Sequence, residues 1–229
     1  MDEMIETIEL PLFPLNTVLF PGQVLPLHIF EERYRLMIRH CLAQDMPFGV
    51  VLIKHGQELG DTAEPHAVGT MARIIESTHL DNGTMNIVTV GVERFRIRRL
   101  LHDQPYLRGE VLSLPMVDPS DPEAVRAAAQ KVRGQVERYI KLIADAAGLQ
   151  IQIEEIPSAS QQVGYLAAVT MQIDNKEKQV LLGADSLDQM LADELKLLNR
   201  ENALLTWMVG SKDWPETVQF GFSGTLMPN

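Results

Sequence analysis

The sequence predicts an α+β protein: a sheet of about six strands with one helix, curling toward a barrel, followed by a helical bundle. Three observations predict it. Short β-branched runs alternate with turn clusters in the first half; Gly91 breaks one of those runs where a bend lets a sheet curl; and beyond Pro115, Pro119 and Pro122 the apolar pattern switches to helical spacing. A chain of 229 residues, 45% hydrophobic and 22% charged, has enough apolar material for one large domain or two modest ones.

The first half opens on LPLFPLNTVLFPGQVLPLHIFEERY, Leu10 to Tyr34, a nearly continuous apolar run set with four prolines. Pro14, Asn16, Pro21, Gly22, Gln23 and Pro26 break it well short of the roughly 18 residues a membrane helix needs. Its prolines are expected at strand ends, and Phe20, Leu27, Phe30 and Tyr34 as core. Phe30, Tyr34, Met37, Ile38, Cys41 and Leu42 then recur at steps of three or four with Arg33, Arg35 and Arg39 between them, which predicts a helix over Phe30 to Ala43. FGVVLIKHG, Phe48 to Gly56, reads as a buried strand. Two β-rich runs flank Asp81-Asn82-Gly83, which supplies the positive backbone angles of a tight hairpin. Beyond Gly91, Phe95 and Ile97 alternate with Arg94, Arg96 and Arg98, predicting one apolar face and one arginine ladder, and Tyr106 to Val117 is a further strand.

The second half is helical. Asp121 can cap a helix with Pro122 in its first position, and Val125, Ala129, Val132, Val136, Ile140, Ile143 and Ala147 form a seam that ends at Gly148. Ser158 with Gln161, Asp174 with Glu177 and Ser186 with Gln189 have the spacing of capping boxes and predict three more helices, with Gly183 and Gly210 as stops. The alternation of Leu149, Ile151 and Ile153 makes the connector after Gly148 extended or docked. The expected organisation is 1–118 for the barrel, 119–210 for the bundle and 211–229 for a tail. Trp214, Phe220 and Phe222 make that tail too apolar for a free linker.

Composition and motifs narrow the function. Net charge is −11, which opposes general binding to polyanions, and the acidic amino terminus lacks a secretion signal, so the cytoplasm is expected. The lone Cys41 excludes an internal disulfide and reads as a reduced core thiol. No glycine precedes a lysine, so there is no phosphate-binding loop, and the six histidines show no paired ligand spacing. Ser211-Lys212, Glu31-Glu32 and Glu154-Glu155 are sequence neighbours whose side chains diverge. No enzyme, metal or cofactor is expected.

LPLFPLNTVLFPGQVLPLHIFEERYRLMI, VGTMARI, VGVERFRI and YLRGEV, in that order, resemble the amino-terminal substrate-recognition domain of the Lon protease family. The resemblance covers Ile8 to Leu114 well, and KEKQVLLGADSLDQMLADELKLL extends it. It implies a PUA-like β-barrel followed by a helical bundle, and recognition of unfolded or apolar protein segments, with a separate protease or chaperone as a possible recipient. The family's ATPase and peptidase modules have no counterpart before Asn229, so a stand-alone, non-catalytic module is expected. The Arg-Leu pair that usually opens the family's final long helix is absent from SLDQMLADEL. Candidate partner contacts are Trp214, Phe220, Phe222, Arg94, Arg96 and Phe30, in a groove between barrel and bundle or on the tail. For Phe30 the core role is preferred, and for the tail aromatics docking on their own chain. The alternative function is nucleic-acid binding along Arg94 to Arg99, which the surrounding Glu93, Asp103 and Glu110 disfavour.

Overall fold

The computed structural model describes residues 7–56, 64–150 and 156–211. Eleven elements follow one another in these residues: β1 (Ile8–Leu15), β2 (Val24–Ile29), α1 (Glu32–Gln44), β3 (Phe48–His55), β4 (Glu64–His79), β5 (Met85–Leu101), β6 (Arg108–Ser113), α2 (Pro122–Ala146), α3 (Ser160–Thr170), α4 (Asn175–Leu182) and α5 (Leu187–Ser211). They fall into two compact units. The first comprises Met1–Pro115 with Asp174–Gly183, and so includes α4; the second holds α2, α3 and α5.

In the first unit the strands form one mixed sheet in the order β2-β5-β4-β3-β1-β6, with an additional β5–β6 pairing. The length of β5 makes this possible: its first half pairs with β2 from Met85 to Val90, and its second half with β6 from Phe95 to Leu101. The sheet therefore curls back on itself, but β2 pairs with β5 alone, so a clean six-stranded barrel is corrected to a mixed, partly closed sheet. The parallel pair β1–β3, with Leu12 opposite Gly49, was not legible in the sequence.

The bend has a local cause. Between Met71–Glu93 and Ala72–Gly91 the register shifts, leaving Val92 as the extra residue of a bulge beside Gly91. A Cβ on Gly91 would lie 2.3 Å from the Phe20 carbonyl oxygen, because the β1–β2 connection crosses there, with the Gly91 N–H donating to Gln23 O at 2.9 Å. Only glycine permits that approach. The predicted hairpin joins β4 to β5, with Gly83 at φ 79°.

The opening prolines differ from expectation. Pro11 and Pro14 lie within β1 and Pro26 within β2. Pro26 costs little, since β2 needs hydrogen bonds on one side only. Tyr34, Met37, Ile38 and Cys41 of α1 pack with Phe13, Phe48, Val50 and Ile87 of the sheet, and Leu10, Leu12, Val51, Met71, Phe95 and Val111 form a second cluster. α1 starts two residues later than predicted, and Phe30, 54% exposed, belongs to neither cluster. Cys41 is buried and its thiol is pushed up to about 12 by burial, as a core thiol should be.

α4 is secured within the first unit by side chains bonded to backbone. Asp174 caps it by accepting from Lys176 N at 2.9 Å. Gln179 donates to Val68 O at 3.0 Å, Arg94 to Leu182 O at 2.7 Å and Asn175 to Asn16 O at 2.6 Å.

In the second unit α2, α3 and α5 pack on one another. Asp121 accepts from the backbone N–H groups of Glu123 and Ala124, at 3.1 and 3.0 Å, as a helix cap. The buried face of α2 runs through Val125, Ala129, Val132, Val136, Tyr139 and Ile143; Tyr139 takes the place expected of Ile140. α2 and α5 run in the same direction, since Asn202 donates to Gln135 O and Arg138 to Thr206 Oγ1. Ser158 does not cap α3, which begins at Ser160 with Ala159 before it, and Gly210 lies inside α5. The connector beyond Gln150 is outside the described residues through residue 155.

Candidate functional site

Within the first unit a cleft of about 300 Å³ opens where the end of β1, the end of β2 and the start of α1 meet. Its deeper wall is apolar: Phe13, Leu15, Ile29 and Tyr34 are each less than a tenth exposed. Leu27, His28, Phe30, Asn16, Thr17 and Glu31 complete the lining.

Aromatic packing shapes the interior. Phe13 stacks on Tyr34 with ring centroids 4.1 Å apart, and Phe48 tilts against Phe13 at 6.2 Å. The Arg33 guanidinium sits 4.5 Å from the Tyr34 ring centroid and pairs with Glu31 at 3.0 Å, which holds the first turn of α1 against the cleft. At the mouth, Phe30 stacks on His28 with centroids 6.1 Å apart. His28 Nδ1–H donates to Asn86 Oδ1 at 2.7 Å, which orients the imidazole beneath Phe30. On the opposite wall the Asn16 carbonyl is held by Asn175 of α4.

The cleft's lining joins six aromatic or aliphatic residues, Phe13, Leu15, Leu27, Ile29, Phe30 and Tyr34, to four polar ones, Asn16, Thr17, His28 and Glu31, a composition suited to an apolar group with a few polar contacts. Phe30 becomes exposed because it lies in the one step between β2 and α1, where neither sheet nor helix periodicity applies. Pro26 lies in β2, the strand with a single sheet partner, and a proline on an edge opposes addition of a further strand. No group of three or more metal-ligating side chains gathers among the described residues.

The sequence-predicted contacts separate in space. Phe30 lines the cleft. Arg96 is exposed on β5, but Arg94 is 2% exposed, with its guanidinium turned to the α4 backbone. Arg99 pairs with Glu110. The expected arginine ladder is therefore broken: the packing of α4 takes Arg94 out of it, and a register shift between Ile97 and Arg99 interrupts it at Arg98. Trp214, Phe220 and Phe222 lie outside the described residues. Sequence reading missed Phe13, Leu15, Asn16, Thr17 and His28 as site residues. Only the proximity of the β1 and β2 ends to the first turn of α1 makes them neighbours.

The family profile described as the ATP-dependent protease La (LON) substrate-binding domain matches residues 9–200. The chain belongs to this family. Among Lon proteases, this member is 27% identical to Lon protease 2 of Myxococcus xanthus over 198 residues and 26% identical to the Lon protease of Anaeromyxobacter dehalogenans over the same length. Each alignment takes in 86% of this chain and 24% of the protease, so the chain spans about a quarter of the length of these relatives. Among solved structures it is similar to a Lon N-terminal domain protein from Xanthomonas campestris, with a TM-score of 0.61, 29% identity, and coverage of 82% of this chain and 98% of that one. The N-terminal domain of the Mycobacterium avium complex Lon protease shares the fold at the same TM-score and 16% identity, with 86% and 98% covered. No helix of the described residues is long and apolar enough to cross a membrane.

Proposed function

We propose that this Lon substrate-binding-domain member is a non-catalytic recognition module whose first-unit cleft takes up an apolar side chain from an unfolded or exposed protein segment, for a separate protease or chaperone. One observation carries the reading: a half-exposed Phe30, stacked on an oriented His28, stands over an aromatic interior in a member of a substrate-binding family. An entering Leu or Phe gains about 1.5–3 kcal/mol from burial, enough for weak, sequence-tolerant capture. The buried, protonated Cys41 supports a non-catalytic role, since it supplies no thiolate. The curled sheet with its β5–β6 pairing supports a PUA-like description of the first unit, and the mutual packing of α2, α3 and α5 a bundle for the second. The burial of Arg94 and pairing of Arg99 give nucleic-acid binding no support.

Binding of fluorescent peptides tests the proposal. Phe30→Ser should weaken binding of Leu- and Phe-containing peptides by roughly tenfold, about 1.4 kcal/mol, while leaving the unfolding midpoint unchanged, since Phe30 is outside the core. If the intact chain shows no preference for apolar over polar peptides, the reading fails.

A further inference from the structure

The end of α5 presents an apolar stripe to solvent. Leu204 is 49% exposed and Trp207 is 67% exposed, more than any other large hydrophobic residue among the described residues. They lie three positions apart and so are neighbours on one helix face. Asn202 and Thr206, which face α2, lie on roughly the opposite side. α2 therefore leaves the stripe uncovered within the second unit.

We propose that residues 212–229 of the same chain fold back along α5 and seat Phe220 and Phe222 against Leu204 and Trp207. The segment begins where α5 ends. Its three charged side chains, Lys212, Asp213 and Glu216, all fall in its first five residues, and the rest carries Phe220, Phe222, Leu226 and Met227 without a charged side chain. Pro215 opposes continuation of the helix. Reach is ample: Leu204 lies about 10 Å back along the helix from Ser211, whereas the nine residues to Phe220 can span about 30 Å.

Tethering and charge select this occupant over a second copy of the chain. A short tether gives an effective concentration of about 1 mM or more. Two copies each carrying −11 repel one another before their stripes can meet.

The test uses the full chain with Trp214→Phe, which leaves Trp207 as its single tryptophan. Acrylamide quenching and the emission maximum then report on the stripe. The expected result is a shielded Trp207 whose quenching constant rises roughly twofold, with a red shift, when Phe220→Ser and Phe222→Ser are added, as expected on uncovering a large aromatic surface. Circular dichroism should show unchanged helix content, and shielding should be independent of protein concentration. The proposal is overturned if Trp207 is already as quenchable as a free tryptophan amide, or if its shielding survives the double substitution. Shielding that disappears on dilution together with a dimer in sedimentation assigns the stripe to a second copy and overturns it equally.

Discussion

Among the described residues each unit buries one charged residue, and the two are retained on opposite terms. In the first, Arg94 and Gln179 are 2% and 7% exposed, and each donates to a backbone carbonyl, joining β5 and β4 to α4. In the second, Glu194 of α5 is fully buried and neither carboxylate oxygen has a hydrogen-bond partner among the described residues. Burial pushes its carboxyl well above the usual range, without a contribution from a neighbouring charge. Gly164 of α3 faces it: a Cβ there would stand 3.6 Å from Glu194 Oε2. A buried ionisable group can be retained by bonding it or by neutralising it, and this chain does the first with Arg94 and the second with Glu194.

Replacing Arg94 should give the largest effect. Arg94→Met leaves the Leu182 carbonyl without this donor and loosens α4, with an expected loss of about 3 kcal/mol in urea unfolding. A loss below about 1 kcal/mol would mean that Gln179 and Asn175 hold α4 without it.

Glu194 should behave in the opposite sense. Its folded-state pKa is raised, so its contribution to the second unit's stability is full below the ordinary carboxyl range and is lost as pH rises from there through the folded value. Glu194→Leu should remove that slope and gain on the order of 1 kcal/mol at pH 8, since a well-packed apolar replacement avoids burying a charge. Urea titrations from pH 4 to 9, followed by tryptophan fluorescence, measure both effects. An unchanged slope in Glu194→Leu would place the titrating group elsewhere.

The smallest effect sharpens the comparison at an exposed site. Asp121→Ala frees two backbone N–H groups at the start of α2 and should cost about 1 kcal/mol, read as a lower unfolding midpoint with unchanged cooperativity. A null result would show that water replaces this cap fully.

Much of the local structure was legible because its causes are local. Asp81-Asn82-Gly83 specified a hairpin, Gly91 marked the bulge, and Asp121 with Pro122 marked the start of α2. Ser158 failed as a cap because the spacing of an oxygen side chain and a glutamine does not fix where the first helical turn begins. Of the site, the sequence singles out Phe30 alone as a candidate contact, and its pattern favours a core role for it. Its exposure follows from its place between a strand and a helix, which an amphipathic pattern extended by two residues obscures.

By itself, then, the sequence determined a strand-rich first half and a helical second half, the turn between β4 and β5, and membership of a substrate-binding family. Tertiary structure decided that α4 joins the sheet, that Arg94 is a buried tie instead of a rung in a basic ladder, and that residues from β1, β2 and α1 line one cleft. The division has a physical reason. Turn chemistry and periodicity act over a few residues, whereas burial depends on which distant segment covers a face, as the bond from Arg94 to Leu182, 88 residues away, shows.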